Sequence, residues 1–302
     1  MVGSAESKFE NRLLGPTTFL PNSLPHKSLS CGRRNRKQDF FSTMVHILLT
    51  NDDGYGAAGL EALAAALADF AKISVVAPSS EKSGAAQSLT LRQPIVCHPM
   101  GEGHWAVDGT PADAVIVALH RLLKEKPDLV ISGINHGANL GENAYYSGTV
   151  GAAREAALHH MPAIAMSLCS KKPDAPFERA AQLARRTAEL ILKEGLPDQV
   201  LLNINVPETW NGGVRFTRQS KRITRTQLSE GQDPRGRSYY WIYEQRLDKD
   251  VEPDTDYAAV FSGEASVTPL HLDPTHTESL NHLSHWSARL ADSKKRASSE
   301  SE

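Results

Sequence analysis

Asp52 and Asp53 stand side by side, directly after the apolar run 45–50 (VHILLT) and directly before Gly54. Adjacent carboxylates repel one another unless a cation lies between them or one holds a proton. Inside a strand, successive side chains point to opposite faces. Where a strand gives way to a loop, both can turn toward one ion. Their hard oxygens suit Mg²⁺, Mn²⁺ or Ca²⁺ better than zinc. The competing reading is a turn cap, because Asp readily bonds its own backbone. Asn51, beside the pair, is grouped with the phosphate-binding candidates.

Three further polar segments carry groups of the same kind. In the loop 81–90 (EKSGAAQSLT), Ser83 offers a neutral oxygen to a metal, and Lys82 attracts anions. An ordinary polar loop is the alternative there. In 132–141 (SGINHGANLG), Asn135 lies just past an apolar run and can add an amide oxygen to a metal's shell. Asn139 can donate to a phosphate. Ser147, Gly148 and Thr149 open an Ala-rich helix, where unpaired N–H groups, hydroxyls and the helix dipole make an anion seat. Taken singly, Ser147 or Thr149 reads as a simple N-cap. His136 shares the 132–141 loop and is read as a bystander.

The same region holds a literal G-x-G-x-x-G, formed by Gly54, Gly56 and Gly59. Between a strand and a helix this pattern is the fingerprint of a dinucleotide site. Two bare carboxylates directly before it would repel a pyrophosphate. The acidic residue expected about 20 positions on, to hold a ribose, is missing. A non-hydrolytic, NAD-type binding protein is therefore the alternative function.

Elements that would position these groups alternate strand and helix. Apolar runs at 45–50, 73–77, 129–134, 163–168 and 199–206 predict buried strands. Segments 59–70, 112–123, 148–159 and 177–193 predict amphipathic or Ala-rich helices. This alternation implies an α/β fold: a three-layer, Rossmann-like, mostly parallel sheet with helices on both faces. Ligands in such sheets bind beyond the carboxyl ends of the strands, where the polar segments fall. After Pro207 the pattern becomes polar and aromatic. β-Hairpins are expected there, one around Tyr239 to Tyr243, projecting from the core, with a return strand at 267–272 and a last helix at 277–290.

Residues 1–43 show little periodicity, three prolines and a basic run, and are read as a disordered extension or a start placed too far upstream. The expected domain covers 44–290, with a core at 44–207, a hairpin region at 208–275 suited to oligomerisation, and a helix at 277–290. Residues 291–302 read as a frayed tail. Lys and Arg number 33 against 35 Asp and Glu, a net charge of -2. That balance gives no electrostatic case for nucleic acid or a membrane surface as partner. No apolar run reaches the length of a membrane span. Cys31, Cys97 and Cys169 are odd in number, far apart and without a C-x-x-C pair, which suggests neither a disulfide framework nor a zinc site and fits a reducing, cytoplasmic setting.

Seven ordered stretches resemble the SurE family (survival protein E), the stationary-phase nucleotidases. They are ILLTNDDG with GLEAL, VVAPSSEKSGAAQSLTL, GTPADAV, PDLVISGINHGANLG with YSGTVGAAREA, LLNINVP, DPRG with YYWI, and TDYAAVFSGEASVTPLHLD. The resemblance runs from Met44 to about Leu290. It implies a 5′-nucleotidase: metal-dependent removal of phosphate from nucleoside 5′- and 3′-monophosphates, with short polyphosphate a further substrate of some members. It places the metal ligands on Asp52, Asp53, Ser83 and Asn135, with one Mg²⁺ or Mn²⁺ per subunit. Asp52, Asp53 and Asn135 are the expected catalytic residues. Asn51, Asn139, Ser147, Gly148 and Thr149 are the expected phosphate and substrate contacts. The resemblance further implies a homo-oligomer, dimer or tetramer, whose C-terminal hairpin region is exchanged between subunits. Ala57-Ala58 departs from the usual Ala-Pro before Gly59.

Overall fold

In the computed structural model the described residues are 44–170, 172–221, 224–246 and 251–291. The expectations for 1–43 and for the tail after Ala291 lie outside them. In chain order the strands are β1 (His46–Thr50), β2 (Lys72–Pro78), β3 (Cys97–Gly101), β4 (His104–Val107), β5 (Leu129–His136), β6 (Ala163–Cys169), β7 (Val200–Pro207), β8 (Val214–Phe216), β9 (Thr224–Gln232), β10 (Ser238–Arg246) and β11 (Ala265–His271). The α-helices are α1 (Ala58–Leu67), α2 (Pro111–Val117), α3 (Gly148–Leu158), α4 (Glu178–Glu194), α5 (Asp256–Phe261), α6 (Thr277–Leu283) and α7 (Ser287–Leu290).

Nine strands form one sheet in the order β3-β4-β2-β1-β5-β6-β7-β11-β8, and β9 and β10 pair separately as a hairpin. Strands β4, β2, β1, β5, β6 and β7 run parallel, while β3 and β11 are antiparallel to their neighbours β4 and β7. The expected α/β architecture is therefore present. All five residues of β1 are buried. Its side chains alternate between two cores, as a two-period strand buried on both faces must. Ile47 and Leu49 join the cluster with Leu60 and Leu63 of α1 and Ala184 and Ile191 of α4. Leu48 joins the opposite cluster with Val115 of α2 and Val150 and Ala153 of α3.

The structure redraws several sequence expectations. The helix expected at 112–123 is α2 followed by a π-helical turn, Ala118–Leu122. The last helix breaks into α6, a 3₁₀ turn at Ser284–Trp286, and α7. The β3–β4 hairpin escaped prediction. β3 is exposed from His98 to Gly101, it contains Pro99 and Gly101, and the register with β4 shifts between Pro99 and Gly101, so no clean alternation marks it. Short β8 and α5 carry too little periodicity to be seen. Among the described residues, no helix is long and apolar enough to cross a membrane.

Candidate active site

The chain leaves β1 toward β2 on one side and later inserts β5 on the other. This reversal opens a crevice at the carboxyl ends of β1 and β5, the usual ligand position in an open α/β sheet. β1 ends into Asn51-Asp52-Asp53-Gly54. Asn51 closes that turn upon itself: its Nδ2 donates to the Gly54 carbonyl at 2.9 Å, and its Oδ1 accepts the Gly54 N–H at 3.2 Å. Gly54 has φ +103°, which a side chain would resist. The turn is stitched to the next loop by Lys82 N–H donating to the Asp52 carbonyl and by Tyr55 N–H donating to that of Pro78, both at 2.7 Å.

Asp52 is 3% exposed, and its Oδ1 accepts the hydroxyl proton of Thr149. Burial raises its pKa to about 6. The Thr149 hydrogen bond opposes that rise, and the neighbouring Asp53 charge adds to it. Asp53 Oδ2 accepts the backbone N–H of His136 at 3.1 Å. Its pKa is also raised, chiefly by burial, against the pull of that backbone bond. The carboxylates are thus tied to two different elements, Asp52 to the first turn of α3 and Asp53 to the end of β5. Gly148 permits the first contact, since a Cβ there would lie 2.8 Å from the Asp52 Cβ.

Ser83 Oγ donates to Glu81 Oε1 at 2.8 Å, which leaves its lone pairs for a cation. Asn135 donates through Nδ2 to the Gly137 carbonyl at 2.9 Å, leaving its amide oxygen as the open acceptor. Asn139 is gripped by β6 and β7: its N–H donates to Asn205 Oδ1 at 2.7 Å and its Nδ2 to Ser167 Oγ at 2.9 Å. Ser147 is the N-cap of α3, its Oγ accepting from Val150 N–H at 3.1 Å.

A cavity of about 640 Å³ brings together Asp52, Ser83, Asn135, Asn139 and Ser147. Sequence reading had singled out all five. Asn51 lies beneath them, 0% exposed, with its amide engaged in the turn. Thr149 is fully buried with its hydroxyl on Asp52, so it faces the carboxylate rather than open space. Sequence reading set His136 aside and gave Tyr146 no role, yet both line the cavity. Their position next to Asn135 and Ser147 was the available signal. Among the described residues, no cluster of three or more His, Cys, Asp or Glu could hold a metal. The oxygen groups lining the cavity are instead the Asp52 carboxylate, the Ser83 hydroxyl and the Asn135 amide oxygen; Asp53 is next in sequence but is not among the lining residues. All are hard oxygens, which fit Mg²⁺ or Mn²⁺.

Comparison with known proteins places this arrangement. The profile of Survival protein SurE matches residues 47–226. The chain belongs to the SurE family. A 5′-nucleotidase SurE of Pelobacter propionicus is 45% identical over 245 residues, covering 80% of this chain and 99% of that protein. The 5′-nucleotidase SurE of Methylococcus capsulatus is 46% identical, with 80% and 97% covered. The crystal structure of a SurE protein from Aquifex aeolicus superposes with a TM-score of 0.72 at 39% identity, covering 80% of this chain and 98% of that one. The dinucleotide alternative finds no support. In this SurE chain Gly59 serves packing, because a Cβ there would sit 2.0 Å from the Ile134 carbonyl oxygen.

Proposed function

We propose that this chain is a divalent-metal-dependent phosphomonoesterase that hydrolyses nucleoside 5′- and 3′-monophosphates to nucleoside and phosphate. One observation carries the reading: the buried Asp52 carboxylate, with its pKa raised to about 6, shares a cavity with Ser83 and Asn135 at the sheet's switch point. A carboxylate pair that burial makes reluctant to ionise together is suited to a cation. Asp52, Asp53, Ser83 and Asn135 would hold it, one Mg²⁺ or Mn²⁺ per subunit. When bound, that ion supplies charge neutralisation at the phosphate and acidifies a water.

The remaining work belongs to this chain's own groups. Thr149 holds Asp52 in one orientation, so the carboxylate can orient the attacking water and take its proton. Asn139 keeps one amide hydrogen beyond its bond to Ser167, and Ser147 keeps its hydroxyl proton. With the Gly148 N–H in the first turn of α3, they are the donors for the non-bridging oxygens, aided by the helix dipole. Phosphoryl transfer asks mainly for such positioning and charge stabilisation.

The exposed β9–β10 hairpin, with Tyr239 to Tyr243 all exposed, supports a homo-oligomer, dimer or tetramer, and we place the protein in the cytoplasm. Phosphate release from AMP with added Mn²⁺, abolished by EDTA, tests the function. No release with any of Mg²⁺, Mn²⁺ or Ca²⁺ would sink it.

A further inference from the structure

The residues lining the active-site cavity divide by chemistry. Asp52, Ser83, Asn135, Asn139 and Ser147 are the polar groups assigned above to metal and phosphate. The large apolar surfaces come from Tyr146 and from Ile242 of β10. Tyr146 is 59% exposed and Ile242 is 74% exposed. Single exposed apolar side chains are ordinary; what sets Tyr146 apart is its place in the lining of the cavity, next in sequence to Ser147.

The backbone beneath Tyr146 is fixed from both sides. Its N–H donates to the Asn143 carbonyl at 3.0 Å, and its carbonyl accepts the Ala86 N–H at 3.0 Å. Ser147, the next residue, caps α3. The ring therefore projects from a rigid pedestal adjoining the phosphate donors. His136 also lines the cavity, but its ring is packed edge-on against Phe177 at 5.9 Å. Among the described residues, no ring pair or cation–π contact engages Tyr146. Its face is open to a planar ligand.

We infer that Tyr146 is the platform on which the nucleobase of the substrate stacks, with Ile242 of the projecting hairpin as its apolar companion. This inference rests on the nucleotidase reading and extends it from the phosphate to the base. Stacking on an aromatic face tolerates any base, because every base has a π-face. Recognition of this kind selects nucleotides over simple sugar phosphates, with weak discrimination among bases. A cavity of about 640 Å³ is of the size that holds a small ligand.

The test compares kcat/KM for AMP with that for ribose 5-phosphate, which keeps the ester and loses the base. Tyr146→Ala should lower the AMP to ribose 5-phosphate ratio about tenfold through KM for AMP. Tyr146→Phe, which retains the ring, should hold the ratio within about twofold of the parent. Tyr146→Leu keeps bulk without a π-face and should behave like Ala. A ratio unmoved in the Ala and Leu variants overturns the platform while leaving the nucleotidase intact. Failure of the parent to hydrolyse either ester in Mn²⁺ removes the nucleotidase reading itself.

Discussion

Thr149 donates its hydroxyl proton to Asp52 across 97 residues of sequence. The bond fixes which carboxylate oxygen stays free and holds Asp52 against the start of α3. Thr149→Val keeps the shape and removes the donor. It should lower kcat roughly 10- to 100-fold, as loss of outer-shell partners does at metal sites, with little change in thermal stability. Thr149→Ser should restore most of the rate. A Val variant with full activity would refute the assignment.

Asp52→Asn separates charge from shape. Turnover should fall roughly a thousandfold or more, because the cation and the attacking water lose their principal partner. Folding should not suffer. The buried carboxylate is raised to about 6, so its ionisation at pH 7 opposes folding in the metal-free chain. Melting in EDTA at pH 8 should therefore occur at or above the parent temperature, read by calorimetry.

Gly56 and Gly59 belong to one motif but should respond differently. A Cβ at Gly56 meets nothing within 4 Å, although φ is +86°. At Gly59 it would lie 2.0 Å from the Ile134 carbonyl. Gly56→Ala should cost about 1 kcal/mol from its backbone conformation. Gly59→Ala should cost about 3 kcal/mol from overpacking. Urea unfolding of both variants measures the contrast, and equal costs would contradict the packing role.

Gln87 and Glu155 clamp the Ser83 loop to α3. Gln87 Nε2 donates to the buried Glu155 at 2.7 Å, and Glu155 also meets His159 at 3.2 Å. Ala86 presses onto Gly151, where a Cβ would lie 2.3 Å from its carbonyl oxygen. α3 thus registers Ser83 against Asp52. Gln87→Ala should weaken Mn²⁺ binding about tenfold, measured by titration calorimetry, while Glu155→Gln keeps an acceptor and should be milder.

His46, inside β1, gives the pH dependence of stability. Burial holds its pKa below the usual 6.5, helped by Lys72 and opposed by Asp128 and Glu125. The unfolded chain takes up a proton that the folded chain resists. Its contribution is therefore complete above about pH 6.5 and is lost as pH falls toward the lowered folded value. Asp52 acts in the opposite direction over this range, so the readout is a difference: between pH 8 and pH 5 the parent should lose stability relative to His46→Gln.

The parallel strands and the oxygen donors were legible because buried strands read as continuous apolar runs and because polar groups cluster where they end. Asp52, Ser83 and Asn135 each follow such a run. What escaped was relational. Nothing near Thr149 says that its hydroxyl faces a residue in the first strand, and Gln87 is one polar residue in a polar loop. The edge hairpin of β3 and β4 escaped because Pro99, Gly101 and exposed polar residues erase alternation. The kink after α2 and the break between α6 and α7 lie within helical patterns that carry no glycine or proline to announce them.

β1 must be threaded between β2 and β5 before the oxygens of Asp52, Ser83 and Asn135 can face one another. A nascent chain that has not yet supplied β5 lacks Asn135, so the trio first exists when the two flanks of the central sheet have come together.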